Sequence, residues 1–534
     1  MEMSDTTCEE VTETYSPEYV SRLLEELEAT LSQPTAQCDL SLDELTAVAE
    51  TLARLNARDK SLLLLLDKLV CSRNEYIDSR NLSKLLNSYA HLGFLEGNLV
   101  ATVLKSRTCF ADSDSAQISG LMFALGKLKL VLSEQSAVPS MGLNNSELTQ
   151  VLQRLCARAT EIVDRFSSLE ISTIVFGMAR LGYRNTKILN MFADLLATRM
   201  AEATPQVISN TIYAMGKLGF KSVNLLDVVC VNIPSRLGLF KPQEIANLVY
   251  AFGQLEYRNE TFLMNLADHI PSRLGTFKPQ ELSITAYAYS QLRVSHPRLF
   301  GGIAIQIARR IDECSPQAIS NTVYAMSKVN FRHNGLLTAM ALSLPGRLGE
   351  LTPQHVSNIM YAFGKLGHRD EILLNAICSH VPGRLWEFRP QNIANTVYAT
   401  GKLGYRHDVL LTAVSTHLPN RLSECVSQDI SNIVYSFGLL GFRHESFFNS
   451  VESYVKSILI PRGMQQKDLS YLMSAFRKAG IEYNDKQQQQ LPATKPVIAL
   501  DELLDDPLTS LIDELEQVAL SCNVDLLKCL QQGA

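Results

Sequence analysis

PQEIANLVYAFGQLEYRN (242–259), PQHVSNIMYAFGKLGHRD (353–370) and PQNIANTVYATGKLGYRH (390–407) are versions of one phrase, and their spacing constrains the fold more than any other feature. The aromatic of the phrase falls at Phe176, Tyr213, Tyr250, Tyr287, Tyr324, Tyr361, Tyr398 and Tyr435, a step of 37 residues every time. Weaker copies place Glu50, Asn87, Phe123 and Ser474 in the same slot, with irregular steps of 36 (87 to 123), 53 (123 to 176) and 39 (435 to 474). The long step holds one period plus a loop insertion near 131–146. Twelve units result. A strict period of this length is the mark of a repeat array, and a single globular core would not need it.

Each unit reads as two helices. The first opens at a recurring proline (Pro205, Pro242, Pro279, Pro316, Pro353, Pro390). Proline suits the first helical position, where an N–H would have no partner inside the helix. Thr204, Ser315 and Thr352 precede it as good N-caps, whereas Lys241, Lys278 and Arg389 are poor ones. A recurring glycine (Gly182, Gly219, Gly367, Gly404, Gly441) ends the helix in the left-handed cap conformation. The second helix carries a proline (Pro234, Pro271, Pro345, Pro382, Pro419) that should kink or break it. Ala308 fills that slot in one unit and is compatible with helix. A lone helical pair cannot bury its apolar face, but stacked pairs can. The expected fold is therefore all-α: a right-handed α-solenoid of about twelve two-helix repeats over 39–480. It is preceded by an acidic segment (1–38) and followed by a Gln-rich linker (481–497) and an acidic helical tail (498–534).

On a wheel of 100° per residue with the aromatic at zero, positions −5, −2, −1, +2 and +5 point between roughly 140° and 260° and form the buried stripe. Small residues at −4 and +3, such as Ser209 and Gly216, sit beside it and permit close helix approach. Four recurring positions lie opposite, within roughly 60° of the wheel. Position −7 is Gln (Gln206, Gln243, Gln280, Gln317, Gln354, Gln391, Gln428). Position −3 is Asn (Asn210, Asn247, Asn321, Asn358, Asn395, Asn432), with Ile284 the exception. Position zero is the aromatic, and position +4 is Lys at Lys217, Lys328, Lys365 and Lys402. Stacked in register, these positions form columns suited to single-stranded RNA. Amides read base edges or sugar hydroxyls, rings stack on bases, and lysines neutralise phosphate. A structural ladder of amides between repeats accounts for the Asn column equally well, and packing between units is the favoured role for the tyrosines.

Two basic columns accompany the first helix. Arg199, Arg236, Arg273, Arg310, Arg347, Arg384 and Arg421 recur near the end of the second helix. Insistence on Arg implies forked hydrogen bonding, to phosphate or to a carbonyl of the adjoining repeat, with the carbonyl favoured. Arg184, Lys221, Arg258, Arg332, Arg369, Arg406 and Arg443 follow the first helix and are expected to face ligand. Position −6 drifts: Val207, Glu244, Glu281, Ala318, His355, Asn392 and Asp429. Repeat readers of RNA address one base per unit through such positions, although an unconstrained surface site would drift in the same way.

The net charge of −6 conceals an asymmetry. Residues 1–60 carry 14 acids and 4 bases, and 481–534 carry 10 and 3. This leaves 31 acids and 42 bases in 61–480, a net of +11. A basic centre favours a polyanion, and the acidic tails are candidate contacts for a protein partner. The eleven cysteines form no C-x-x-C pair and read as reduced, buried thiols. No window of 18 apolar residues offers a membrane span. No metal-ligand set or cofactor motif stands out, His333, His407 and His444 read as a loop position, and no nucleophile or nucleotide motif can be placed. A binding protein rather than an enzyme is expected.

PQEIANLVYAFGQLEY and PQNIANTVYATGKLGY resemble octotricopeptide-type repeats, and the 37-residue step is closer still to heptatricopeptide repeats and to the repeats of FAST-kinase-domain proteins. The likeness covers about 40–480. It implies an RNA-binding solenoid of a mitochondrion or plastid, acting on transcript processing, stability or translation, or on ribosomal RNA and ribosome assembly. Its RNA-facing residues would lie on the first helix. Many relatives end in a RAP domain, and no such pattern of alternating strands is evident here. The first thirty residues hold nine acids and one Arg, the opposite of a transit peptide, so cytosolic residence stays open. The rival reading is an armadillo-type scaffold whose Asn column holds an extended peptide.

Overall fold

The computed structural model describes residues 25, 28, 29 and 31 and the stretches 40–72, 77–94, 110–134, 145–459 and 466–478. The linker and acidic tail, almost all of 1–38, and most of the expected loop insertion lie outside the described residues. Among the described residues every regular element is helical. The chain divides into two compact units, Met1–Asn232 and Ile233–Ala534.

In the first unit, the first helices of five repeats pack each on the next: Leu42–Arg54, Ser79–Leu92, Ser115–Glu134, Ser168–Leu181 and Pro205–Lys217. The second unit stacks seven in the same way: Pro242–Gln254, Pro279–Gln291, Pro316–Lys328, Pro353–Lys365, Pro390–Lys402, Ser427–Leu439 and Gln466–Lys478. The twelve slots read from the sequence each fall on one of these helices. Each unit is thus a stack of helical repeats, as an α-solenoid requires. The helix Ser115–Glu134 runs further than the sequence implied, into the stretch expected to be loop.

The first helices inside each unit are buried on more sides than the expected stripe, because each is flanked by two others and backed by second helices. Position +1, not assigned to the stripe, is a point of close backbone approach between first helices. It is always small: Gly177, Ala214, Ala251, Ala288, Ala325, Ala362, Ala399 or Ser436. It meets the small residue at +3 of the preceding helix. A Cβ added to Gly364 would lie 2.9 Å from Ala399 Cα, and one added to Gly401 would lie 2.8 Å from Ser436 Cβ. The recurring Y-A and K-L-G words therefore set how near two backbones come.

Helix ends follow the same period. In the second unit and at Gly219, the residue after the C-cap adopts a positive φ and the next N–H returns to a carbonyl five residues back, as in Phe220 to Met215 (2.9 Å) and Tyr405 to Thr400 (2.9 Å). This is the Schellman closure. Gly219, Gly367, Gly404 and Gly441 take it freely at φ 59°, 62°, 61° and 60°. Glu256, Arg293 and Asn330 occupy the same slot at φ 47°, 54° and 53°, so the closure is imposed by the stack even where the residue resists it. The histidines read as a loop position are caps. Nδ1 of His333, His407 and His444 accepts the N–H of Leu336, Leu410 and Phe447, at 3.1, 3.3 and 3.3 Å.

The second-helix proline changes the helix type rather than ending it. Glu371–His380 is α-helical and Val381–Glu387 continues it as a 3-10 helix beginning around Pro382. Asp408–His417 passes into Leu418–Glu424 in the same way. Where Ala308 replaces the proline, the α-helix runs on through Arg309. The 3-10 turn presents carbonyls outward, and the arginine of the following repeat takes them. Arg421 donates to Phe388 O (2.8 Å) and Leu385 O (3.4 Å), and Arg384 to Leu351 O (3.1 Å). Arg347 reaches Cys314 O (2.9 Å), and Arg273 reaches Phe240 O (2.9 Å). Glu387, Glu424 and Glu350 pair with the other edge of Arg384, Arg421 and Arg347. His380 and His417 lie 2.8 and 3.1 Å from Arg384 and Arg421 through Nε2. Burial first, and the adjacent guanidinium second, hold both histidines below the usual imidazole pKa, so the ring is neutral and accepts. The arginine column is a set of clamps between repeats.

Two outcomes follow from these contacts. Arg421→Ala should lower stability by about 1.5–3 kcal/mol, the scale of a hydrogen bond to a charged group, and Arg421→Lys should recover little because one ammonium cannot bridge both carbonyls and Glu424. Arg293→Gly should raise stability by about 1 kcal/mol by removing a left-handed side chain. Thermal unfolding of the full chain measures both.

Candidate nucleic-acid interface

The Gln, Asn, aromatic and Lys positions lie on the first helices, and the structure treats each differently. Gln206, Gln280, Gln317 and Gln428 are exposed, and Gln243, Gln354 and Gln391 are half-buried. The asparagines lie deeper. Asn210, Asn247 and Asn432 are buried, and Asn321, Asn358 and Asn395 are half-buried. None of the six side-chain amides has a hydrogen-bond partner among the described residues, and Oδ1 of Asn247 is fully enclosed without one. A structural ladder would show amide-to-backbone bonds between repeats, and these are missing. Leaving a buried polar group unpaired costs about 1–3 kcal/mol, so Oδ1 of Asn247 would gain from an outside donor, and the half-buried amides of Asn321, Asn358 and Asn395 in the same unit are open to one.

The tyrosines are closed to stacking in part of the array. Tyr361 and Tyr398 are 3 % and 2 % exposed. Tyr213, Tyr250, Tyr287, Tyr324 and Tyr435 are half-buried. Tyr324 and Tyr361 have ring centroids 5.7 Å apart, so rings of adjoining repeats contact one another. The lysine four residues on then covers the ring. Lys217, Lys328, Lys365 and Lys402 lie 5.9, 5.4, 6.0 and 5.6 Å from the centroids of Tyr213, Tyr324, Tyr361 and Tyr398. This cation–π contact holds each ammonium at the surface in a repeating position. Three members at the same +4 spacing were not singled out from the sequence: Lys127 over Phe123, Arg180 over both Phe123 and Phe176, and Lys478 over Tyr435 of the preceding repeat. The spacing from Phe123, Phe176 and Ser474 would have found them.

The Arg184–Arg443 column is exposed but partly committed. Arg332 donates to Leu366 O (3.2 Å), Arg369 to Gly404 O (3.3 Å) and Arg406 to Gly441 O (3.2 Å), each at the end of the next first helix. Arg369 also pairs with Glu371, Arg406 with Asp408, and Arg258 with Glu260. Arg184, Lys221 and Arg443 are exposed at the same position.

Position −6 is the third residue of the first helix, and its drift tracks the cap. Where the N-cap is Thr204 or Ser315, its hydroxyl accepts the N–H of Val207 (3.3 Å) or Ala318 (3.2 Å), and the −6 side chain is apolar. Where the cap is Lys241 or Lys278, the residue at −6 is Glu. Glu244 and Glu281 accept the cap's N–H at 2.7 Å. Asn392 and Asp429 accept from Arg389 and Val426 at 3.2 Å, and His355 accepts from Thr352 at 3.3 Å. Each of these helix starts is supplied with an acceptor, from the cap, from the third residue, or from both at Thr352 and His355, where the Thr352 hydroxyl also accepts the N–H of His355 (3.3 Å). Burial raises the carboxyl pKa of Glu244 and Glu281 against the opposing effect of that N–H. Replacing Glu281 with Ala should cost about 1 kcal/mol, and adding Lys278→Thr to that variant should restore most of it. Melting curves of the single and double variants test the exchange.

Among the described residues no helix is long and apolar enough to cross a membrane. A family model described as RNA-editing substrate-binding complex 6 protein matches residues 21–297 and 341–487, most of the chain. No curated protein matches it. The matched span contains eleven of the twelve first helices, with five of the six asparagines and three of the four lysines, and the chain belongs to the RNA-editing substrate-binding complex 6 protein family.

Proposed function

We propose that this chain is a non-catalytic, RNA-binding helical-repeat protein that holds single-stranded RNA along its first helices within an RNA-editing substrate-binding complex. The observation that carries this reading is the row of asparagine amides without partners in the second unit, bordered by Lys328, Lys365 and Lys402, each held over the tyrosine four residues before it. An amide offers a donor and an acceptor together, which matches a base edge or a ribose hydroxyl. The lysine row supplies phosphate neutralisation at a fixed repeat. The covered rings of Tyr361 and Tyr398 assign those tyrosines to holding lysine rather than to stacking on bases. Kinship with octotricopeptide and heptatricopeptide repeats, and work in a mitochondrion or plastid, belong to this proposal and rest on the repeat's wording. So does a role in transcript processing, stability, translation or ribosome assembly.

The same amides could hold the backbone of an extended peptide, and the closed rings favour that reading over base stacking. Binding of the full chain to single-stranded RNA, duplex RNA and an acidic peptide, across a salt series, separates the two. Single-stranded RNA should bind tightest, with affinity falling steeply as salt rises. Lys365→Ala with Lys402→Ala should shallow the salt dependence by about one unit of slope per lysine. Asn358→Ala with Asn395→Ala should weaken binding without changing that slope. Absence of RNA binding at low salt, with the peptide bound, would overturn the proposal.

A further inference from the structure

The chain has one tryptophan, Trp386, and its side chain is 74 % exposed. It sits on the 3-10 turn Val381–Glu387, on the second-helix side of the repeat. With Pro382 and Leu385 it forms one wall of an open groove, and the other wall is the helix Asp408–His417. That helix turns Val409, Thr412 and Ala413 toward the groove. Val409 is 63 % exposed, so two large apolar side chains face solvent across a channel along a helix. The geometry suits a helix laid in a groove, with anchors about one turn apart.

We propose that this groove receives the chain's own C-terminal segment, residues 508–526, as an amphipathic helix. In that segment Leu508, Leu511, Ile512, Leu515, Ala519, Cys522 and Leu526 recur at helical spacing on one face, while Asp513, Glu514 and Glu516 fall off it. The unit that carries the groove is basic, with 25 bases and 17 acids over 233–478, and 498–534 holds eight acids and one lysine, so the unit as a whole attracts the segment while the groove lining itself is mainly apolar and neutral apart from Asp408. The tether reaches. Residues 479–507 can extend up to about 3.3 Å each. The groove lies about two first-helix steps from Gln466–Lys478, each step roughly 8–10 Å. Tethering keeps the segment at an effective concentration that a free partner would have to exceed.

Because Trp386 is alone, its fluorescence reports the groove directly. In the full chain at low concentration, its emission should be blue-shifted and poorly quenched by acrylamide. Leu511→Glu with Leu515→Glu should shift the emission to the red and raise the quenching constant several-fold. Val409→Glu, at an exposed position that leaves the repeat intact, should do the same. Emission and quenching that are equal in the unmodified chain and both variants would overturn the proposal. Shielding of Trp386 that appears only as protein concentration rises would overturn it too, and would assign the groove to a second copy. RNA is absent throughout, so failure here leaves the RNA-binding reading untouched, and failure there leaves this one.

Discussion

In the central repeats a 3-10 turn ends the second helix with carbonyls that its own helix leaves open, and the arginine of the next repeat bonds to them. The rest of the stack depends on that exchange. Arg421 reaches Phe388 and Leu385, and Arg384 reaches Leu351, always one period back. The clamp fixes the distance between second-helix ends. The small residues at +1 and +3 fix it between first helices, where Gly364 and Gly401 leave no room for a methyl group. With both edges set, the first helices align in register, and a position repeated in sequence becomes a column in space. No column of amides or lysines would exist without this alignment.

The site inherits its character from that order. Each lysine is placed by the ring beneath it, and in part of the array each ring is placed by the ring of the adjoining repeat. The amides lie between these fixed points with their donors and acceptors uncommitted. Stability and function are thus divided among positions of one helix. Proline, glycine and alanine build the stack, and the opposite face carries groups the stack does not use.

Much of this was legible before any coordinates. The period, the helix pairs, the prolines at helix starts and the glycines at helix ends all follow from spacing and local backbone chemistry, and the Arg199–Arg421 column was legible as forked hydrogen bonding with a carbonyl favoured over phosphate as its acceptor. Contacts between repeats were harder to read. Position +1 lies outside the apolar stripe because a wheel shows one helix and not its two flanking neighbours. The drift at Glu244, Glu281 and Asn392 resembled a reading code, yet it follows the identity of the residue three places earlier. That relation appears only when the cap and the third residue are considered together. The Arg332, Arg369 and Arg406 side chains bond to carbonyls 34 or 35 residues ahead, a distance at which sequence alone names no acceptor.

The clamp also bears on how such an array could lengthen. Arg273, Arg347 and Arg421 find their carbonyls 33 and 36 residues upstream, and Gly364 and Gly401 meet their small counterparts on the next first helix. A copied unit would arrive with its own clamp, its own spacers and acceptors suited to the next copy. Insertion of one period would need no compensating change elsewhere, whereas insertion of half a period would leave an arginine facing the wrong carbonyl. Growth of this molecule by whole-unit duplication is written into the reach of one side chain.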